Sequence, residues 1–314
     1  MANRTFSIVP KGRFSWEHAT AVLGNFCPTR RHAPGADDLV RLALPLDGDF
    51  APAGVALRWA GDALEGEVFG SDRRHVPVEV AKKQVARIFS LDHDGAGFDA
   101  LADRDPKLGR VMKALPGLRP VCFTSPYECA AWAIVSQRIA KTQAANVLER
   151  FVAEHGPAIE VAGATVRAFP EPKKLARVTR IAGVAAVKVE RLREVAAAAM
   201  EGKLDAEKLR ALGDEEGPAS LRAIPGIGPF WSSGIYLRGC GIVDVFPDEP
   251  LSVAAAGVLH GLGDRPSSAE LERITDRWRP YRMWACFLLR VAAGRGIVAG
   301  IREREGAIRR AAVG

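Results

Sequence analysis

Strand-like, apolar-rich runs occupy residues 5–9, 39–46, 55–59 and 64–69, with breaks such as Asp47-Gly48-Asp49 and Gly61-Asp62 between them. Short runs of this kind bounded by such breaks predict β-strands. Ser15, just before Trp16-Glu17-His18, stands where an N-cap would, and predicts a short helix to about Gly24. The run VEVAKKQVARIF over residues 78–89 predicts a helix that closes this part of the chain. Residues 1–95 are therefore expected to form an α+β N-terminal domain.

From about residue 98 the pattern changes. Apolar positions recur at helical spacing over residues 126–136, 139–155 and 188–201, with shorter stretches at 105–114, 271–278 and 282–293. Gly156-Pro157, Gly202 and Gly213 mark helix ends, and Pro116-Gly117-Leu118-Arg119-Pro120 reads as a loop. Residues 301–312 read as a charged amphipathic helix. The expected fold class is mainly α with an α+β N-terminal domain, and residues 96–314 form the helical region.

The densest local signal lies at residues 221–239. Leu221-Arg-Ala-Ile ends a helix because Pro225 stops it, and Gly226-Ile227-Gly228 forms a tight turn into a second helix. Glycines let the backbone take a positive φ and come close to a partner. The new helix begins with N–H groups that lack helical acceptors and can hold a phosphate oxygen. Pro229 is tolerated in that first turn. Four such letters also occur in ordinary helix corners, so the hairpin alone does not exclude a purely structural or protein-interaction role.

Composition alters this picture little. The formal charge is +7, from 44 Lys and Arg against 37 Asp and Glu, a modest excess. Lys208 is the last lysine, and arginine alone supplies the later lysine-or-arginine positions, which suits bidentate phosphate contacts but also follows from a GC-rich genome. The five cysteines, Cys27, Cys122, Cys129, Cys240 and Cys286, form no CxxC or zinc spacing and are expected to be free. No apolar run is long enough for a membrane span, and the N-terminus lacks a secretion signal. The expected location is the cytoplasm, in association with the nucleoid.

Four ordered segments besides the hairpin carry a resemblance. Gly117-Leu118-Arg119 with Trp132-Ala-Ile-Val-Ser-Gln137-Arg138, Phe169-Pro-Glu-Pro172, Ile181-Ala-Gly183 with Lys188, and Arg277-Trp278-Arg279-Pro280-Tyr281-Arg282 stand in sequence. They resemble the GLR…AILGQ, FPTP, LG…K and RWKPWRS segments of the bacterial 3-methyladenine DNA glycosylase II family. That family lies within the helix-hairpin-helix DNA glycosylase superfamily. The resemblance implies an α+β N-terminal domain followed by two helical subdomains with a cleft between them. It implies a monomer that binds double-stranded DNA carrying a damaged or modified base, flips that base and releases it in base-excision repair.

The resemblance also implies site residues. DNA contacts fall on Gly226, Gly228, Trp231, Gln137 and Arg138, with Arg138 filling the gap left by the flipped base. The base pocket falls on Trp16, Phe230, Tyr281 and Trp284; Gly234 and Thr20 stand where aromatics are expected or lie near. The chain departs from the family at the catalytic aspartate. An ungapped match from Asp244-Val245-Phe246 puts Pro250 there, and a one-residue shift puts Glu249 there beside Asp248. The catalytic carboxylate is thus Glu249, Asp248 or neither. In the last case the chain is a catalytically impaired DNA-binding relative. Phe230 stands where bifunctional members carry a Schiff-base lysine, so any base release is monofunctional. No cofactor is required, apart from a monovalent cation that the hairpin would accommodate; the iron–sulfur loop of some superfamily members is absent after Cys286.

Overall fold

The computed structural model describes residues 4–70 and 77–298. The amphipathic helix expected at 301–312 lies outside the described residues. No described helix is long and apolar enough to cross a membrane.

Four strands appear where the strand-like runs predict them: β1 Thr5–Ile8, β2 Val40–Pro45, β3 Pro52–Ala60 and β4 Ala63–Gly70. They form one antiparallel sheet in the order β1-β4-β3-β2. The helix α1 spans Trp16–Asn25 and opens on Ser15, whose hydroxyl accepts from the His18 N–H at 3.1 Å. The helix α2 spans Val78–Ile88 and packs on β1 and β4. Its buried Gln84 donates to the carbonyls of Pro45 and Thr124 at 3.1 and 3.0 Å and accepts from the Asp47 N–H. A buried amide with its partners supplied costs little to enclose.

The chain divides into two compact units, and the division does not fall at residue 95. The first comprises Met1–Val9, Thr20–Asp92 and Val121–Gly241; the second comprises Pro10–Ala19, His93–Pro120 and Ile242–Gly314. The division passes through α1. The sheet joins the helices that follow residue 121 because β2 and the first half of β3 are buried on both faces. Strand β2 is buried along almost its whole length and β3 from Ala53 to Leu57. One face is covered by an unforeseen hairpin, β5 Ala158–Val161 with β6 Ala164–Arg167, where Ile159, Val161 and Ala168 pack on Ala43 and Ala56.

The longer helices of the first unit after residue 121 are α4 Pro126–Ser136, α5 Lys141–His155, α6 Ala186–Met200 and α7 Ala206–Leu221, followed by the short α8 Pro229–Gly234, which runs on as a π-helical turn over Ile235–Gly239. The helix α4 is buried from Pro126 to Val135, so it is the central helix of the unit. In the second unit, α3 Pro106–Ala114 packs with α9 Pro250–His260 and α11 Arg282–Gly294, and α10 Ser268–Thr275 opens with a Ser267–Glu270 capping box.

Four cysteines, Cys122, Cys129, Cys240 and Cys286, are buried and Cys27 is half-buried; all five are free. Burial pushes the Cys122 and Cys129 thiols up and takes Cys240 to about 12.

Candidate functional site

In the first unit, α7 ends at Leu221 and the turn is closed by the Ile227 N–H donating to the Ile224 carbonyl at 3.0 Å. Gly226 sits at φ 89°, and a Cβ there would lie 2.7 Å from Arg191 Cδ and 2.9 Å from Ile134 Cδ1. Gly228 is different: its φ is −86°, and a Cβ would meet nothing within 4 Å. The N–H groups of Gly226, Gly228, Phe230 and Trp231 find no acceptor among the described residues. Unpaired backbone donors are tolerated only where water or a ligand can reach them. Gly228 and Phe230 are exposed, Gly226 and Trp231 half-buried.

The turn is braced from a second loop. Gln137 Nε2 donates to the Gly226 carbonyl at 2.8 Å, and Arg191 donates to Gln137 Oε1 at 3.4 Å. Lys188 Nζ donates to the carbonyls of Val135 and Gln137 at 2.8 and 2.6 Å. Burial, and then the charge of Arg191, holds the Lys188 ammonium below its ordinary value. Gln137 therefore spends its amide on the turn. Next to it, Arg138 is exposed at φ 56°, a left-handed conformation unfavourable for a side chain with a Cβ, and its guanidinium has no partner among the described residues.

Phe230 is 62% exposed and meets Trp231 edge-on at 5.4 Å between ring centres. The carbonyls of Leu221, Ile224 and Gly226 each accept an intramolecular hydrogen bond, so a monovalent cation at this turn would have to share them. Among the described residues, no group of three or more His, Cys, Asp or Glu side chains could hold a metal ion.

The carboxylates stand in the second unit. Glu249 is the N-cap of α9: its Oε2 accepts from the Ser252 N–H at 2.9 Å and hydroxyl at 2.7 Å, and its Oε1 pairs with Arg290 of α11. Burial alone would raise this carboxyl, but the Arg290 charge and the Ser252 bonds outweigh it and hold it below the usual glutamate value. Asp248 is exposed and pairs with nothing among the described residues. Asp244 holds the start of α11, accepting from Arg282 Nε at 2.8 Å and Arg279 at 3.2 Å.

Of the expected pocket aromatics, Trp16 is half-buried. Tyr281 and Trp284 lie in the core of the second unit, 8% and 1% exposed. Each meets Phe98, the two rings stand 5.3 Å apart, and the Tyr281 hydroxyl donates to the Asp94 carbonyl at 2.7 Å. The buried Arg119 guanidinium covers Trp284 at 4.9 Å from the ring centre. Trp284, which the resemblance puts in the base pocket, is packed among protein groups in this structure. Arg119 also donates to the Arg13 carbonyl at 3.1 Å, and burial pushes it down to about 10.

No family model matches the chain. It is 26% identical over 224 residues to a DNA-3-methyladenine glycosylase of Bacillus subtilis, covering 68% of this chain and 74% of the relative. It is 30% identical over 213 residues to a probable bifunctional transcriptional activator/DNA repair enzyme AlkA of Mycobacterium tuberculosis, covering 65% of this chain but only 41% of that longer relative. The solved structure of a 3-methyladenine DNA-glycosylase from Archaeoglobus fulgidus superposes with a TM-score of 0.73 at 21% identity, over 91% of this chain and 97% of that one. The chain shares its fold with the helix-hairpin-helix DNA glycosylases. The sequence segments that resemble that group hold the fold's local supports. Lys188 and Gln137 brace the hairpin, Arg119 ties down residues 11–13, and the buried Trp278 indole donates to Asp105 at 2.9 Å.

Residues that sequence reasoning passed over are Ser252, Arg290 and His260. Arg290 stands 41 positions from Glu249, and nothing in either local sequence signals the pairing.

Proposed function

We propose that this protein is a monofunctional DNA glycosylase that binds damaged duplex DNA and hydrolyses the N-glycosidic bond of an alkylated or otherwise modified base. The carrying observation is the exposed turn with four unpaired N–H groups at Gly226, Gly228, Phe230 and Trp231 on a glycosylase fold. Such a turn suits a phosphate oxygen, and Arg138 beside it suits a second backbone contact. A glycosylase has to draw its base out of the stack, because the bond to be cut is unreachable in the duplex. An ionised carboxylate then stabilises the positive charge that develops on the sugar while water attacks. In the loop after Phe246, Glu249 is a carboxylate held in that form by Arg290 and Ser252. Phe230 offers no amine for a Schiff base, so the product is an intact strand with an abasic site.

The test is single-turnover base release from chemically methylated duplex, with products run before and after alkali. Release that nicks the strand only after alkali supports the reading. Glu249→Gln should lower release on the order of 100-fold, while Asp248→Asn should leave it within about threefold. A second reading has one observation in its favour: both Glu249 oxygens already serve a helix cap and an ion pair. Under it the protein binds abasic duplex in a salt-dependent way and releases no base from any methylated substrate.

A further inference from the structure

Glu249 is longer than the aspartate expected at its place, and the structure shows what uses the extra length. Its carboxylate turns back over the first turn of α9, where Ser252 takes Oε2 through both backbone and hydroxyl. Oε1 is left to a single partner, Arg290, on the facing side of α11. The Ser252 side chain is fully buried and also reaches the Cys286 carbonyl at 3.2 Å, so the cap cannot swing freely. The Arg290 and Glu249 side chains are 33% and 23% exposed, so the pair is open to solvent on one side. Arg290 pairs with no other acid among the described residues, and Asp248, the adjacent acid, points to solvent and makes no bond.

We propose that Arg290 is the positioning residue of the reactive carboxylate: it fixes Glu249 Oε1 while Ser252 fixes Oε2, so that a glutamate is held in one orientation as a ready anion. This rests on the glycosylase reading above. A free glutamate has three rotatable bonds and would lose that orientation, and displacements near 1 Å cost on the order of 100-fold in rate. A guanidinium beside the carboxylate also favours its charged form, which lets the anion persist at lower pH. Arg290 touches neither sugar nor base in this scheme; its whole effect passes through Glu249.

The experiment compares wild type, Arg290→Gln and Arg290→Lys in two measurements. The first is the pH profile of single-turnover base release from methylated duplex. The second is a carbon-13 NMR titration of the Glu249 carboxyl in the free protein, with thermal melting as a check on folding. For Arg290→Gln the rate at neutral pH should fall on the order of 10- to 100-fold, with duplex affinity unchanged within about twofold. The acid limb of the profile and the Glu249 midpoint should both move to higher pH. Arg290→Lys keeps the charge without the fork and should restore the midpoint more fully than the rate.

An unchanged profile and midpoint in a folded Arg290→Gln overturn the proposal, as does wild-type-like release by Glu249→Gln. If wild type releases no base at all, the glycosylase reading fails. Arg290 then loses the positioning role even if the titration shifts, because the pair would serve only the helix cap.

Discussion

Gly226 and Gly228 lie two residues apart in one turn, yet the backbone demands a glycine only at the first. Gly226→Ala places a Cβ at φ 89° against Arg191 and Ile134, which should cost about 1–3 kcal/mol of stability and be visible as a lower urea midpoint. Gly228→Ala enters open space at φ −86° and should leave stability within about 0.5 kcal/mol. If DNA backbone approaches there, the same change should weaken duplex binding about tenfold, roughly 1.4 kcal/mol. Unaltered affinity for Gly228→Ala would remove the close approach. Asp105 gives a second test at this scale. Its carboxylate lies 2.8 Å from His260 Nε2 and accepts from Trp278 and from the N–H groups of Lys107 and Leu108. Burial alone would raise this carboxyl, but those bonds hold it well below the ordinary aspartate value. Its contribution is therefore complete above the unfolded value, about 3.9, and is lost as pH falls from there through the folded one. Asp105→Asn should be less stable at pH 7 and should flatten the acid side of the stability curve, followed by urea unfolding between pH 3 and 7. Side chains of this kind were partly legible. The turn glycines and Ser15 announce themselves locally, whereas Arg290 and His260 act across the fold and leave no local mark.

At the scale of elements, β1–β4 were readable because their apolar-rich runs stand between Gly, Asp and Pro breaks, and the long helices because they repeat their period over many residues. The hairpin β5–β6 was not. Its strands are four residues each, and Ala158-Ile159-Glu160-Val161 alternates too briefly to stand out between two helices. Its reason for existing is tertiary, since it covers a sheet face that β2 and β3 leave apolar. Gly54 is where the two layers come closest: a Cβ would lie 2.2 Å from Val161 Cγ2 and 3.1 Å from Ile159 Cγ2. Gly54→Ala should cost about 1–3 kcal/mol in urea unfolding, and Gly54→Ala with Val161→Ala should recover part of it. Additive losses in that cycle would mean that the layers do not press on each other there. The loop after Phe246 was legible as chemistry but not as geometry, because a cap and a reactive carboxylate use the same letters.

For the whole molecule, the sequence shows where composition changes but not that Pro10–Ala19 and His93–Pro120 join residues beyond 242, since discontinuous units leave no linker to read. Charge is a property at this scale. Duplex affinity should fall linearly on a log–log plot against salt, by about 0.9 for each phosphate neutralised. Arg138→Ala should reduce that slope by about one, while Gly228→Ala, which removes no cation, should lower affinity and keep the slope; fluorescence anisotropy across salt concentrations separates the two. The cysteines have a practical side. Four are sealed away, with burial pushing up the thiols of Cys122, Cys129 and Cys240, and only Cys27, just past α1, is half-open to solvent. A maleimide dye should label one thiol in the native protein and all five in urea. The chain thus comes with a built-in attachment point for a fluorophore, usable without engineering a cysteine-free background.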